Sequence, residues 1–196
     1  MVPRKVDHGL RREEIVGALW RIAARRGLEA VTMREVAMEA GVSLGRVQYY
    51  FESKDDLVRR AAVALRARVD GVVRSRLEGV SGDSVRVLRA ILLALLPLDE
   101  EGRAGALVGI AVFFRALRDP ELVGDLRRGD EALMEVLGDR VRSAVVEGRL
   151  RPDLEVRLET RLLMAVVNGL GSDLLTGCVS SEEAVAAIDH QLSRLA

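Results

Sequence analysis

Residues 32–54, TMREVAMEAGVSLGRVQYYFESK, predict two short helices around a tight turn. Thr32 and Glu35 have the spacing of a capping box, in which each side chain bonds a free backbone N–H at a helix start. Gly41 stands where the first helix must end, because glycine adopts φ > 0 without a steric penalty. Ser43 can cap the next helix, which is expected over 44–50.

The second helix of this pair has an inner and an outer face. Val47 and Phe51 lie four residues apart and are expected to point inward, which leaves Arg46, Gln48 and Tyr49 outside. Arg can bond guanine, Gln can bond adenine, and all three side chains can bond phosphates. The pattern favours a helix-turn-helix whose second helix lies in a DNA groove. An ordinary helical hairpin with a solvated outer face is the alternative.

Composition predicts an all-α fold. The chain has 196 residues with 49% hydrophobic and 3% aromatic residues, and only four prolines. No alternation typical of strands extends beyond a few residues. The single cysteine, Cys178, excludes an internal disulfide and is typical of a reducing compartment. The longest uncharged runs, 104–114 and 162–172, have 11 residues each, and a bilayer span needs about 20. With no signal-peptide pattern, a cytoplasmic protein is expected.

Net charge is zero overall but unevenly divided. Residues 1–60 contain 12 Lys and Arg against 9 Asp and Glu, and the other 136 residues contain 18 against 21. A weakly basic first part is consistent with local phosphate contacts, and it argues against a protein that coats or condenses DNA.

The helix signals divide the chain into two parts. Residues 1–55 are predicted as a three-helix DNA-binding head, with its first helix over 10–26. A connector helix is expected over about 54–78, ending in a break at 79–83. Residues 69–196 are predicted as a helical domain for ligand binding and dimerisation. Its helices are expected over 84–96, 104–118, 120–147 with a break near Gly129, 154–176 and 184–195.

The last two predicted helices are unusually apolar. This favours a subunit interface, in which a four-helix bundle forms across a two-fold axis, with an ordinary intramolecular core as the alternative. Four further residues are candidates for the lining of a ligand pocket, since such sites are apolar with a few polar groups. They are Phe113, Phe114, Met134 and Asn168, and plain core packing is the alternative for them.

An enzyme is the competing class of function. The only histidines are His8 and His190, and the sequence has no nucleophile motif, no phosphate-binding glycine loop and no Cys/His metal spacing. No catalytic residue, metal or cofactor is therefore predicted. A DNA-binding regulator without an effector is a third possibility, which keeps the head and leaves the second domain without a ligand.

Residues 37–57, AMEAGVSLGRVQYYFESKDDL, resemble the signature of the TetR/AcrR family of transcriptional regulators. Three later segments resemble the ligand domain of the choline-regulator (BetI-like) branch: FFRALRDPEL at 113–122, EGRLRPDLEVRLE at 147–159 and NGLGSDLLTGCVSSEEAV at 168–185. The resemblance implies a homodimeric repressor on a near-palindromic double-stranded DNA operator, with a pocket for an unidentified small molecule that releases it.

The resemblance also assigns DNA contacts to matching positions. It implies phosphate contacts for Thr32 and Lys54. The recognition-helix positions that match the family pattern are Ser43, Gly45, Arg46, Gln48, Tyr49 and Tyr50. Many relatives have Tyr where this chain has Gln48.

Overall fold

The computed structural model describes residues 8–28, 30–77 and 83–196. Within these ranges the chain forms nine α-helices and no strand, which confirms the all-α prediction. The helices are α1 His8–Arg26, α2 Met33–Glu39, α3 Leu44–Tyr50, α4 Lys54–Leu77, α5 Ser84–Ala94, α6 Glu100–Ala116, α7 Pro120–Val146, α8 Val156–Thr176 and α9 Ser181–Ser193. The break expected over 79–83 falls almost wholly outside the described residues.

Local capping explains the helix-turn-helix. The Thr32 hydroxyl accepts a hydrogen bond from the Glu35 N–H, and the Glu35 carboxylate accepts one from the Thr32 N–H at 3.0 Å. Gly41 has φ +65°, so it supplies the left-handed residue that ends α2. Ser43 caps α3 by accepting from the Arg46 N–H at 3.2 Å. The predicted helix-turn-helix and the predicted bounds of α3 are confirmed.

Most predicted helix ends lie within three residues of those in the structure, and two predictions differ further. α6 begins at Glu100 rather than 104, because the Asp99 carboxylate accepts from the Gly102 N–H at 2.7 Å and caps an earlier start. α7 continues through Gly129 without the expected break. One glycine costs a helix about 1 kcal/mol, and burial of apolar residues on both sides of it, such as Leu122 and Leu137, outweighs that cost.

The described chain forms two compact units. The first contains residues 1–67 and 104–123, and the second contains residues 68–103 and 124–196. Most of α6 and the first turn of α7 therefore belong with the head. Ion pairs accompany this arrangement, with Arg115 bound to Asp55 at 2.6 Å and Arg59 to Glu121 at 3.3 Å. The assignment of 69–196 to ligand binding and dimerisation stays a prediction.

Each unit has its own buried apolar residues. In the first unit they come from α1 to α4, α6 and the start of α7, and include Ile15, Leu19, Val36, Val47, Phe51, Leu57, Val112 and Leu122. In the second unit α5, α7, α8 and α9 contribute Leu88, Ile91, Leu92, Leu137, Val141, Leu163, Val167 and Ile188. Arg89 of α5 forms a bidentate ion pair with Asp189 of α9. None of the described helices has the length and apolar character required to cross a membrane.

Candidate nucleic-acid interface

Helix α3 presents a polar face whose side-chain groups have no hydrogen-bond partner among the residues that the structure describes. Val47 and Phe51 are 0% and 1% exposed, which confirms their inward orientation. Arg46, Gln48 and Tyr49 are all exposed, and Tyr49 is 73% exposed. The polar ends of these three side chains form no hydrogen bond with any residue that the structure describes. Their donors and acceptors are therefore available to a partner outside the chain.

Gly45 leaves open space on the same face. A Cβ atom placed there would meet nothing within 4 Å, and its backbone φ is not positive. Glycine inside a helix costs about 0.5–1 kcal/mol relative to alanine. Neither packing against the described residues nor backbone geometry explains the glycine, and the DNA contact expected at Gly45 stays a prediction.

Tyr50 has a different position from its neighbour. It is only 7% exposed, and its hydroxyl lies 3.1 Å from the His8 Nδ1. The His8 and Tyr50 rings meet edge to face at 5.8 Å, and the Arg12 guanidinium lies 5.8 Å from the Tyr50 ring centroid. A side chain that is buried to this extent has little surface left for DNA, so burial argues against the DNA contact that was expected of Tyr50. The residue lies at the inner side of α3, where it packs α3 against the start of α1.

His8 also reaches the outer face. Its ring lies 6.4 Å from that of Tyr49, and the Tyr49 and Tyr50 rings meet edge to face at 5.1 Å. The first turn of α1 therefore positions the exposed tyrosine as well as the buried one. Sequence reasoning missed this role, because nothing in the spacing of His8 relates it to residues more than 40 positions away.

Ion pairs hold α2 against α1. Glu39 accepts from Arg21 at 2.8 Å and from Arg25 at 2.6 Å, and Glu35 accepts from Arg26 at 2.8 Å. The hydrogen bond from Arg21, followed by that from Arg25, holds the pKa of Glu39 below its ordinary value. Exposed pairs add little stability individually. Their effect here is to orient α2, the helix that precedes the recognition helix.

The two predicted phosphate contacts differ in their surroundings. Thr32 is exposed, but its hydroxyl donates to the Glu35 carboxylate at 3.0 Å and accepts from the Glu35 N–H. A phosphate would have to compete with that carboxylate for the single hydroxyl proton. Lys54 is partly exposed at the start of α4, immediately after the recognition helix. Both contacts stay predictions, as does the contact of the exposed Ser43.

The four predicted pocket residues are not brought together in one unit. Phe113 and Phe114 lie in the first unit and are 54% and 64% exposed. Met134 and Asn168 lie in the second unit, where Met134 packs against the core and Asn168 is exposed. Neither the phenylalanines nor Asn168 are core residues, because the buried faces of their helices are occupied by Val108, Val112, Leu163, Met164 and Val167.

A three-helix head with capped helices and an exposed polar face on its third helix defines a helix-turn-helix DNA-binding regulator. The family model described as bacterial regulatory proteins, tetR family, matches residues 15–61. The model described as BetI-type transcriptional repressor, C-terminal, matches residues 84–196. The chain belongs to the TetR family of transcriptional regulators and carries a BetI-type C-terminal domain.

Individual relatives are similar to this chain over all or nearly all of its length. The regulator BetI of Stenotrophomonas maltophilia is 29% identical over 203 aligned residues and is covered completely, as is this chain. A transcriptional regulator from Rhodococcus sp. RHA1 is 32% identical with a TM-score of 0.80, covering 94% of this chain and 95% of its own. A Saccharomonospora viridis protein, described as a transcriptional regulator and solved with choline, has a TM-score of 0.85 at 23% identity, covering 95% and 97%.

Proposed function

We propose that the chain is a homodimeric repressor that binds a near-palindromic operator and is released by a small molecule. The observation that carries this proposal is the outer face of α3, where Arg46, Gln48 and Tyr49 offer polar groups without partners among the described residues. Regulators of this family bind DNA operators and act as dimers. A repressor of chromosomal genes acts in the cytoplasm, which agrees with the expected location.

In the proposed complex, α3 lies in the major groove. Arg46 and Gln48 bond base edges, Tyr49 bonds a base or a phosphate, and Lys54 contacts the backbone beside the groove. Gly45 permits close approach of the DNA. Two heads on one duplex read half-sites about 34–36 Å apart, or a multiple of one turn. Tyr50 belongs to the support of the reading face rather than to the contacts.

Dimerisation through α8 and α9 needs a free face on those helices. Ile188 and Leu192 of α9, and Leu195 just after it, are buried within their own chain. This agrees with the alternative interpretation of these residues as an ordinary intramolecular core. On α8, however, Leu158 and Leu162 remain 62% and 52% exposed. Ala165 and Gly169 continue the exposed stripe at helical spacing. We therefore assign the intersubunit contact of this helix pair chiefly to α8.

The effector of this chain is expected to differ in chemistry from choline. Quaternary ammonium groups are recognised by cages of aromatic rings. The second unit, residues 68–103 and 124–196, contains no Phe, Tyr or Trp. A pocket formed by that unit would contain no aromatic cage, which argues against a quaternary ammonium effector. Choline should leave the melting temperature unchanged, and a shift at millimolar choline would contradict this expectation.

Selection of bound fragments from genomic DNA tests the function, followed by footprinting and native mass spectrometry. The proposal expects an enriched sequence with two half-sites related by a dyad and two chains per duplex. Absence of any enriched sequence would contradict operator binding, and one chain per site would contradict the dimer. An effector-independent regulator is the alternative, and it would keep its operator affinity in the presence of every compound that shifts its melting temperature.

A further inference from the structure

Helix α6 has an exposed apolar face within the first unit. Leu107 and Ile110 are 36% and 42% exposed, and Phe113, Phe114 and Leu117 are 54%, 64% and 64% exposed. Residues 107, 110 and 114 follow one another at steps of three and four, so they lie along one side of the helix, and residue 117 comes in the turn just after it. We call these five residues the α6 face. An exposed apolar patch of this kind marks an interaction surface.

The α6 face carries no charge. Residues 104–114 contain no Asp, Glu, Lys or Arg, and Arg115 at the end of this run is paired with Asp55. Where two identical surfaces meet across a two-fold axis, the residues near the axis meet their own copies, so charges there would repel. An uncharged face avoids that repulsion and is therefore compatible with a contact between two copies, whereas it offers nothing to a partner that is recognised by charge.

The same surface also has a recess. An apolar cleft of about 420 Å³ lies between the end of α1 and α6. It is lined by Ala23, Ala24 and Leu28 on one side and by Leu107, Ile110 and Phe114 on the other. A self-complementary surface needs both protruding groups and a space to receive them. Protruding rings beside an apolar cleft meet that need.

The area of the α6 face limits how strongly it can hold two copies together. With about 150–250 Å² for a whole aromatic side chain, the exposed parts of the five residues amount to on the order of 500 Å² per copy. A stable interface buries about 800 Å² per partner. The face is too small to hold a dimer alone, but it can add to one that is held elsewhere.

We propose that the α6 face packs against the same face of a second copy and so fixes the distance between the two heads on the operator. Most of α6 belongs to the compact unit that contains the head. The Arg115–Asp55 pair joins its last turn to the residue after Lys54, at the start of α4. A change in the α6 contact would thus reach the start of α4, which follows the recognition helix in the chain. This inference rests on the proposed dimeric function.

Crosslinking between copies tests the contact. Cys178, the only cysteine, is replaced by serine, and Ile110→Cys is compared with Val63→Cys, a residue of the same unit that is 58% exposed outside the face. A short bis-maleimide should link Ile110→Cys into a covalent dimer and leave Val63→Cys largely unlinked. Equal, weak crosslinking of both variants, in a protein that sedimentation shows to be dimeric, would overturn the α6 contact. A monomer in sedimentation would instead overturn the proposed dimer.

A charge placed in the face gives a second test. Phe114→Glu puts two carboxylates against each other across the axis, while the matched Val63→Glu does not. Phe114→Glu should weaken binding to a two-half-site operator at least about tenfold. Its affinity for an isolated half-site, its helical content and its dimer mass should equal those of Val63→Glu. Equal affinity of the two variants for the complete operator would contradict the head-to-head contact.

Discussion

The two neighbouring tyrosines of the recognition helix should respond in opposite ways to substitution. Tyr49 is 73% exposed, so only roughly a quarter of its surface is buried. Full burial of a large apolar side chain stabilises by about 1.5–3 kcal/mol, so Tyr49→Ala should cost about 0.4–0.8 kcal/mol of unfolding free energy. Loss of its contact with DNA should weaken operator binding about tenfold, which corresponds to 1.4 kcal/mol.

Tyr50 should show the reverse pattern. It is 7% exposed, and truncation of a buried aromatic side chain costs about 3–5 kcal/mol, so Tyr50→Ala should unfold much of the head. Tyr50→Phe removes only the hydroxyl beside the His8 Nδ1, which should cost about 0.5–1.5 kcal/mol and leave the operator affinity nearly unchanged.

The assay pairs urea unfolding with fluorescence anisotropy on the selected operator, measured at temperatures where each variant is folded. Unchanged affinity for Tyr49→Ala would remove this residue from the reading face. Equal affinity losses in Tyr49→Ala and Tyr50→Phe would show that the buried hydroxyl reaches DNA, and the division between a reading and a supporting tyrosine would then be wrong.

Three further substitutions test the interface. Lys54→Ala should lower the slope of log K against log[salt] by about 1.8, because each of the two heads on the operator loses one phosphate contact, and an unchanged slope in a salt titration would exclude that contact. Gly45→Ala should raise the unfolding free energy by about 0.4–1 kcal/mol in urea melts and yet weaken operator binding, whereas stronger binding would contradict close approach of DNA. Bonds from Arg21 and Arg25 lower the pKa of Glu39, so its contribution to stability is present above the ordinary glutamate pKa of about 4.3 and is lost as the pH falls through the lower folded value. The melting temperature of Glu39→Gln should therefore lie below that of the native protein at neutral pH, and the gap should narrow as the pH falls below about 4.3. A gap that does not narrow in acid would contradict the ion-pair assignment.

Local signals made the helix-turn-helix predictable. The capping box of Thr32 and Glu35, the terminating Gly41 and the cap at Ser43 each depend on residues within four positions of one another. Such patterns can be identified from a single sequence, because the hydrogen bonds that they predict are nearly independent of the rest of the fold. The inward position of Phe51 followed from helical periodicity in the same way.

Contacts between distant segments were not predictable. The hydrogen bond of His8 with Tyr50 joins residues 42 positions apart, and no local pattern indicates it. Periodicity identified α6 as apolar, but a helix that is apolar on most sides does not show which side is buried. The exposure of Phe113 and Phe114 depends on where α6 lies against other helices, and so does its membership of the first unit.

Together these features suggest how operator binding is regulated. A ligand can shift binding only to the extent that it prefers one arrangement of the heads over another. We propose that α4, whose first residues follow the recognition helix, takes a different position when the ligand binds. We propose that α6 moves with α4, because the Arg115–Asp55 pair joins the two helices. The Arg115–Asp55 pair lies within the first unit, so a change in the pairing of two α6 faces would change head spacing without unfolding the head.

The central claim, that the outer face of α3 reads the operator, is tested most directly by its base preference. The native protein and Gln48→Ala are each used to select bound sequences from a random DNA pool under the same salt. The native protein should enrich a dyad-related motif, and Gln48→Ala should lose the preference at one position of each half-site, where adenine is expected, while the remaining positions stay unchanged. Identical motifs for the two proteins would contradict base reading by Gln48, and identical motifs again for Arg46→Ala and Tyr49→Ala would contradict the assignment of α3 as the reader.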